Sequence, residues 1–212
     1  MEKIEKQLSS IRDIVKQFVD DRRFSHILAV EEEAISLGKI FIPEKIEKLA
    51  IAAILHDITK NFSVEKQLAL CEEYKIEVDK KNLVPKLLHS KTGCEFARRL
   101  LGKDIVDDEI YNGIYYHTTG RENMTVFEMI VYLADYIEKT RTFDDCVYLR
   151  SFFYENIKQV NSKKEKFEIL RKSMILSYDL LIKDLIDNEK IIDNETILAR
   201  NYFLNNKICT TM

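Results

Sequence analysis

Apolar residues recur every three or four positions along almost the whole chain, and this period constrains the fold more than any other feature. Ile4, Leu8, Ile11, Val15 and Phe18 form one such stripe. This spacing places the apolar side chains on one face of an α-helix. Glycine and proline number only 5 and 2 in 212 residues, or roughly 3% against about 12% in average usage. The sequence therefore predicts an all-α fold and excludes collagen-like, low-complexity and turn-rich all-β architectures.

Capping residues divide the chain into successive helices. Gly38 is predicted to end the second helix, whereas Ser63 and Asp107 are typical N-caps. Thr125-Val126-Phe127-Glu128 fits a capping box, in which the two side chains bond free backbone N–H groups. After the first stripe, we expect helices over about 21–37, 46–57, 63–74, 87–101, 107–116, 125–139, 145–155, 163–188 and 195–205.

The length of the chain favours one domain. A chain of 212 residues buries about 70% of its unfolded surface, so a single core needs no disulfide or structural metal. We expect one domain over residues 1–212. Its core, over about 22–142, carries the candidate functional residues, and C-terminal helices follow over about 143–212.

Charge and cysteine usage exclude several classes of protein. The net charge of −3 argues against a nucleic-acid binder, but it leaves room for a small anion held by a few local cations. The four cysteines form no CxxC pair, which disfavours a disulfide framework and a zinc knuckle; they are Cys71, Cys94, Cys146 and Cys209. The N-terminus lacks the apolar region of a signal peptide, and the longest apolar run, Leu49 to Leu55, is too short to cross a bilayer. We therefore expect a soluble, cytoplasmic protein without a membrane or nucleic-acid partner.

His56 and Asp57 directly follow this apolar run, which should be a buried helix. Burying an ionised carboxylate without a partner is costly, so Asp57 should be paired or should coordinate a metal. Lys60 lies three residues further on, within one helical turn. It could form a salt bridge with Asp57, or it could contact a phosphate group.

Asp135 raises the same question, because it interrupts the apolar segment Met129 to Ile137. It could pair with Lys139 or Arg141, or it could bind a metal. The other candidate residues are His26, His89 and His117. A single histidine at the end of an apolar helix is usually no more than a half-buried polar side chain.

Taken together, the four histidines and two aspartates suggest imidazole–carboxylate coordination. This ligand set suits Fe, Mn, Zn, Co or Ni better than Ca. A metal of this kind lowers the pKa of bound water and makes a hydroxide nucleophile, while lysine and arginine nearby stabilise an anionic transition state. The residues thus predict hydrolysis of a phosphate ester or anhydride.

The order of these residues resembles that of a known superfamily. His26, His56-Asp57 and Asp135, placed on helices, resemble the H…HD…D pattern of the HD-domain phosphohydrolases. Further segments resemble the YqeK-type bacterial family of symmetrical diadenosine tetraphosphatases; they are Arg23 to His26, His56 to Lys60, Leu87 to Gly93, His117 to Gly120 and Leu133 to Glu138.

The resemblance implies an HD-domain helical bundle and a role for each matching residue. The implied metal is a divalent transition metal, present as one or two ions; iron is favoured over Mn, Co, Ni and Zn. Its implied ligands are His26, His56, Asp57 and Asp135. The implied catalytic residues are Asp57, Lys60, His89 and His117. The implied substrate-binding residues are Arg23, His26, Lys60, His89, His117, Thr118, Asp135 and Arg141. The chain departs from the family after Glu138, where Lys139 replaces a common proline.

The resemblance also implies a substrate and a product. The enzyme would cleave diadenosine tetraphosphate, a nucleotide polyphosphate, into two ADP, and a homodimer is left open. One alternative is another HD-type nucleotide phosphohydrolase, acting on a dNTP, a guanosine alarmone or a mononucleotide. A second is a metal-binding protein that senses a nucleotide without cleaving it. A third is a scaffold in which Asp57–Lys60 and Asp135–Arg141 are structural ion pairs.

Overall fold

The described chain is helical from end to end. A computed structural model describes residues 2–78 and 83–206. Within these residues the regular elements are ten α-helices and two 3-10 turns, with no strand. The α-helices are α1 Glu2–Val15, α2 Asp21–Phe41, α3 Ile46–Leu55, α4 Val64–Tyr74, α5 Leu88–Leu101, α6 Asp108–Tyr115, α7 Val126–Ile137, α8 Asp144–Ile157, α9 Lys163–Asp187 and α10 Asn194–Asn205; the 3-10 turns are Pro43–Lys45 and Pro85–Leu87. The predicted all-α fold is confirmed.

The predicted caps begin the helices for the expected physical reason. The Ser63 side chain accepts a bond from the first turn of α4, and Asp107 does the same for α6. Thr125 and Glu128 form both bonds of the capping box at the start of α7. Each cap satisfies backbone N–H groups that the helix itself leaves unpaired.

The prediction that Gly38 ends the second helix is wrong, because α2 continues through it to Phe41. A methyl group built on Gly38 would lie 2.5 Å from Cδ1 of Leu49 in α3. The glycine therefore serves close packing of α2 on α3 and does not terminate the helix. At α1 and α7 the helices end at Val15 and Ile137, before the predicted ends near Phe18 and Lys139.

Helix α3 is the centre of the molecule. Its residues Leu49 to Leu55 are all buried, and it packs against α1, α2, α6 and α7. Helices α8 and α10 each pack on α9, and α8 and α9 also contact α7. One hydrophobic core extends from Leu8 in α1 to Phe203 in α10. The chain that leaves α3 therefore emerges, at His56 and Asp57, deep inside the protein.

The cysteines are unpaired and the helices are too short or too polar to cross a membrane, within the described residues. Cys71, Cys94 and Cys146 are buried free thiols, and Cys209 lies outside the described residues. Across 2–78 and 83–206, no helix combines the length and the apolar character needed to span a bilayer.

Candidate metal centre

The predicted site residues meet at one place because several helices end or begin there. They come from the second turn of α2, the turn after α3, the first turn of α5, the turn after α6 and the last turn of α7. Their ligand atoms form three overlapping groups, with the atoms of each group within 4.8 Å of one another: His26, His56 and Asp57; His56, His117 and Asp135; and Asp57, His89 and His117.

Each histidine uses its Nδ1 atom for an acceptor outside the cluster. The acceptors are Ala53 O for His56 (2.6 Å), Lys86 O for His89 (2.7 Å), Ile114 O for His117 (2.6 Å) and Glu138 Oε1 for His26 (3.1 Å). Carbonyl and carboxylate oxygens can only accept a hydrogen bond, so Nδ1 must carry the proton in all four rings. In the neutral rings, Nε2 then presents a lone pair.

These Nε2 atoms face the two aspartates and one another. Oδ2 of Asp57 lies 3.4 Å from Nε2 of His56 and 3.8 Å from Nε2 of His26. Its other oxygen, Oδ1, lies 3.1 Å from Nε2 of His89 and 3.8 Å from Nε2 of His117. Asp57 thus stands between two pairs of histidines and turns one oxygen towards each pair.

Several of these buried atoms lack a hydrogen-bond partner. Within the described chain, Nε2 of His26, Nε2 of His56 and Oδ1 of Asp57 make no hydrogen bond. Oδ1 of Asp135 lies 2.9 Å from Nε2 of His26. The Nε2 atoms of His89 and His117 are 3.1 Å apart, although both rings carry their proton on Nδ1. Convergent lone pairs and carboxylates of this kind fit a divalent transition metal.

Burial keeps two histidines of the cluster neutral, and neighbouring side chains keep its two aspartates ionised. Burial lowers the pKa of His89 to about 4, against the opposing effect of Asp57, and burial also lowers the pKa of His117. Burial is the largest single influence on Asp57 and Asp135 and raises the pKa of each, but the combined effect of His56, His117 and His89 at the first and of Arg141 and His26 at the second holds the pKa of both well below the usual range. His89 and His117 are therefore neutral and both carboxylates ionised, which are the forms that bind a metal.

The remaining histidine behaves differently. Burial would lower the pKa of His26, but the carboxylates of Asp135 and Glu138 raise it to about 9. A cation at the cluster would compete with a proton for Nε2 of this ring.

Three predicted cations, Arg23, Lys60 and Arg141, surround the cluster, and each of them contacts one of its residues. Arg23, not Lys60, pairs with Asp57, at 2.7 Å. Lys60 places Nζ 3.2 Å from Nε2 of His89, and burial lowers its pKa. Arg141 pairs with Asp135 at 2.5 Å.

A cleft of about 450 Å³ opens onto the cluster at His26. Four cationic side chains line it, namely Arg22, Arg23, Lys60 and Arg141. The acidic lining residues are Asp20 and Glu138. In a chain of net charge −3, this local excess of positive charge favours an anionic ligand.

Thr118 is the predicted substrate-binding residue that lies away from this cleft. Its hydroxyl donates to Ser90 Oγ at 3.2 Å. It also lines a separate, mostly apolar cavity of about 520 Å³ that is bounded by α9, α10 and the turn before α5. The structure thus brings Arg23, Lys60 and Arg141 together and leaves Thr118 apart from them.

Sequence reasoning assigned no role to several residues around the cluster. Glu138 is fully buried and bonds His26, while Arg22 and Asn61 line the cleft. The one signal available for Glu138 was a glutamate directly after the apolar helix α7. Arg22, in the first turn of α2, and Asn61, in the turn after α3, gave none, because exposed polar residues at such positions are ordinary surface residues.

The chain is similar to several known proteins. The model of the HD domain family matches residues 23–140. A symmetrical bis(5'-nucleosyl)-tetraphosphatase of Staphylococcus aureus is 28% identical over 92% of this chain and 94% of its own length. A protein of the same name from Halalkalibacterium halodurans is 35% identical over 61% of this chain and 68% of its own length.

A solved structure is similar to this chain over most of its length. It is described as an HD superfamily hydrolase involved in NAD metabolism, from Clostridium acetobutylicum. It has 33% sequence identity and a TM-score of 0.80, and the match covers 93% of this chain and 96% of that protein. The likeness therefore extends well beyond residues 23–140, which the family model matches.

Proposed function

The chain belongs to the HD domain family, and from this premise we propose that it hydrolyses diadenosine tetraphosphate symmetrically to two ADP. Two relatives, one of them aligned over 94% of its own length, carry the name symmetrical bis(5'-nucleosyl)-tetraphosphatase. The substrate is thus a nucleotide polyphosphate, and the reaction is a hydrolysis of one P–O–P linkage.

The observation that carries this function is the cationic cleft that ends at the histidine–aspartate cluster. Arg22, Arg23, Lys60 and Arg141 line it, and a polyphosphate needs several positive groups along its length. Arg23 and Arg141 also touch Asp57 and Asp135, so they lie where the phosphate chain meets the candidate metal centre.

The metal is held, in this proposal, by His26, His56, Asp57 and Asp135. The unpaired Nε2 atoms of His26 and His56 support the assignment, and iron is the ion that the family resemblance favours. When bound, a divalent metal of this kind supplies an activated water nucleophile at neutral pH. The second oxygen of Asp57, with His89 and His117, forms a further group of possible ligands.

The chain's own residues then act on charge and orientation. Lys60 and the two arginines stabilise negative charge that develops on the phosphate oxygens as the linkage breaks. Nζ of Lys60, held beside His89, can donate to a phosphate oxygen close to the cluster. His89 and His117 are kept neutral by burial, so they act as acceptors or ligands and not as cations.

The test is hydrolysis of diadenosine tetraphosphate in heavy-oxygen water with the metal-loaded protein. We expect ADP as the sole nucleotide product, with one heavy oxygen for each substrate molecule cleaved. An Asp57→Asn preparation, made in parallel, should be inactive and so excludes a contaminating hydrolase.

Two outcomes would contradict the proposal. AMP and ATP in equal amounts would mean asymmetric cleavage. Release of phosphate from a mononucleotide, a dNTP or a guanosine alarmone, with no turnover of the dinucleotide, would favour another HD-type phosphohydrolase.

A further inference from the structure

We infer that Glu138 is a positioning residue for the metal centre, acting through His26. The inference rests on the proposed metal site. Within that site it assigns a function to a residue outside the set of ligands and cleft cations.

The Glu138 carboxylate is held in one orientation by three hydrogen bonds. It follows α7 as the C-cap residue, with extended backbone, and its side chain is fully buried. Oε1 accepts from Nδ1 of His26 at 3.1 Å and from the hydroxyl of Thr140 at 2.7 Å. Oε2 accepts from the backbone N–H of Thr140. Because both oxygens are engaged, the carboxylate has little freedom to turn away from His26.

His26 differs from the other three histidines in the partner that orients it. His56, His89 and His117 each donate from Nδ1 to the carbonyl three residues earlier in the chain. These three lie at helix ends, where carbonyl groups are accessible to side chains. His26 lies within α2, away from a helix end, and its Nδ1 donates to a side chain and not to a backbone carbonyl. That acceptor is Glu138, 112 residues away in sequence.

A second layer fixes the turn that carries Glu138. Arg150 of α8 donates from Nε to the carbonyl of Ile137 at 2.6 Å. It also donates to the carbonyls of Glu138 and Arg141, at 2.5 and 2.6 Å. One guanidinium group thus holds three carbonyls of the α7–α8 turn. These three hydrogen bonds from Arg150 of α8 keep the Glu138 carboxylate against His26 and hold Arg141 at the cleft.

The chemical consequence lies at Nε2 of His26. A carboxylate that accepts from Nδ1–H fixes the tautomer with a lone pair on Nε2, and its charge makes that lone pair a better donor to a metal. Loss of such a partner typically lowers metal affinity or activity about 10- to 100-fold. Glu138 supplies the only charged orienting group among the Nδ1 partners of the four histidines.

The experiment measures metal affinity directly, by competition of Fe²⁺ or Mn²⁺ with a chelator of known affinity. Glu138→Ala should bind the metal about 10- to 100-fold more weakly than the unaltered protein. Glu138→Gln keeps an acceptor oxygen but loses the charge, so its affinity should lie between the two. Thr140→Val leaves the carboxylate in place and removes one of its supports, so we expect a smaller loss.

A matched control separates positioning from folding. Glu31 of α2 is also a buried carboxylate, but both of its oxygens accept from Arg12 of α1 and neither contacts a histidine. Glu31→Gln should lower thermal stability and leave metal affinity unchanged.

The outcomes distinguish this inference from the proposed function. If the unaltered protein takes up no divalent metal, the proposed metal site is wrong and the role of Glu138 falls with it. If the unaltered protein binds metal and folded Glu138→Ala binds it equally well, only the positioning role is overturned. Should Glu138→Ala fail to fold, equal affinities for Glu138→Gln, Thr140→Val and the unaltered protein would overturn it as well.

Discussion

At the scale of single residues, the position of one proton on each ring determines what the cluster can do. Four oxygen acceptors hold the proton on Nδ1 of His26, His56, His89 and His117. The inward Nε2 atoms are then available to a cation. Asp57 adds one oxygen to each side of the cluster, so this residue connects the two pairs of histidines.

The cleft cations should act on turnover more than on folding. In the metal-loaded protein, Lys60→Gln and Arg141→Gln should each lower kcat about 100- to 1000-fold, the loss typical of one donor to a transition-state anion. Steady-state kinetics with diadenosine tetraphosphate, together with thermal melting of the same samples, measures both quantities.

Arg121 offers a control for this prediction. It pairs with the buried Glu128 at the start of α7 and lines no part of the cleft. Arg121→Gln should lower the melting temperature and leave kcat unchanged. If Lys60→Gln and Arg141→Gln keep the turnover of the unaltered protein, neither residue acts on phosphate charge.

At the scale of elements, the site is a meeting of helix ends. His56 and Asp57 follow α3, His89 begins α5 and His117 follows α6. A helix end leaves backbone groups free and lets the chain turn sharply, which brings polar side chains to a point that the apolar helices surround. Gly120 makes this turn after α6, with a φ of +65°.

Gly120 should be intolerant of even a methyl group. In Gly120→Ala the new Cβ would lie 1.8 Å from the hydroxyl oxygen of Tyr178 in α9, and overpacking of this kind costs about 1–3 kcal/mol. We expect the free energy of unfolding, measured by urea denaturation, to fall by at least this amount, because an alanine at positive φ adds strain.

The same substitution in a Tyr178→Phe protein shows whether the contact with the Tyr178 hydroxyl causes the loss of stability. Tyr178→Phe removes the hydroxyl, whose bond within the described structure is a weak one to Met124 Sδ at 3.5 Å. In that background Gly120→Ala should cost less than in the unaltered protein. An equal cost in both backgrounds would show that backbone strain alone is responsible.

At the scale of the whole molecule, the histidine–aspartate cluster is enclosed by the hydrophobic core. The hydrophobic core reaches from α1 to α10, and the cluster lies inside it with ionised carboxylates. Buried polar atoms without a partner oppose folding, and Nε2 of His26, Nε2 of His56 and Oδ1 of Asp57 are such atoms within the described chain. A cation bound by the folded state alone should therefore stabilise the entire protein.

Metal removal should be visible as a change in melting temperature. A metal at 100-fold excess over its Kd stabilises the folded state by about 2.7 kcal/mol, which corresponds to a rise of about 5–10 °C for a chain of this length. Differential scanning calorimetry of chelator-treated protein, with and without added Fe²⁺ or Mn²⁺, measures the shift.

Two controls accompany this measurement. His56→Ala should lose both the bound metal and the shift, because a ligand is missing. Ca²⁺ should give no comparable shift, because imidazole ligands do not suit it. Equal melting temperatures for stripped and loaded protein would contradict a metal site at the cluster.

The sequence by itself determined the features that depend on neighbouring residues. The period of the apolar residues predicted the helices, and Ser63, Asp107 and Thr125 predicted where three of them begin. The buried carboxylate of Asp57 and the half-buried one of Asp135 could be recognised because each lies in or after an apolar helix. Helix formation and capping are local interactions, within about four residues, so a linear pattern is sufficient to predict them.

Only the tertiary structure decided which side chains meet across helices. It placed Arg23 on Asp57, Lys60 on His89 and Glu138 on His26, and it showed that Gly38 serves packing. Each of these contacts joins residues that lie in or next to different helices, separated by 11 to 112 positions, and depends on how α2 and its neighbours pack on α3. A sequence pattern contains the identities of such residues, but their distances arise only when the core brings the helix ends together.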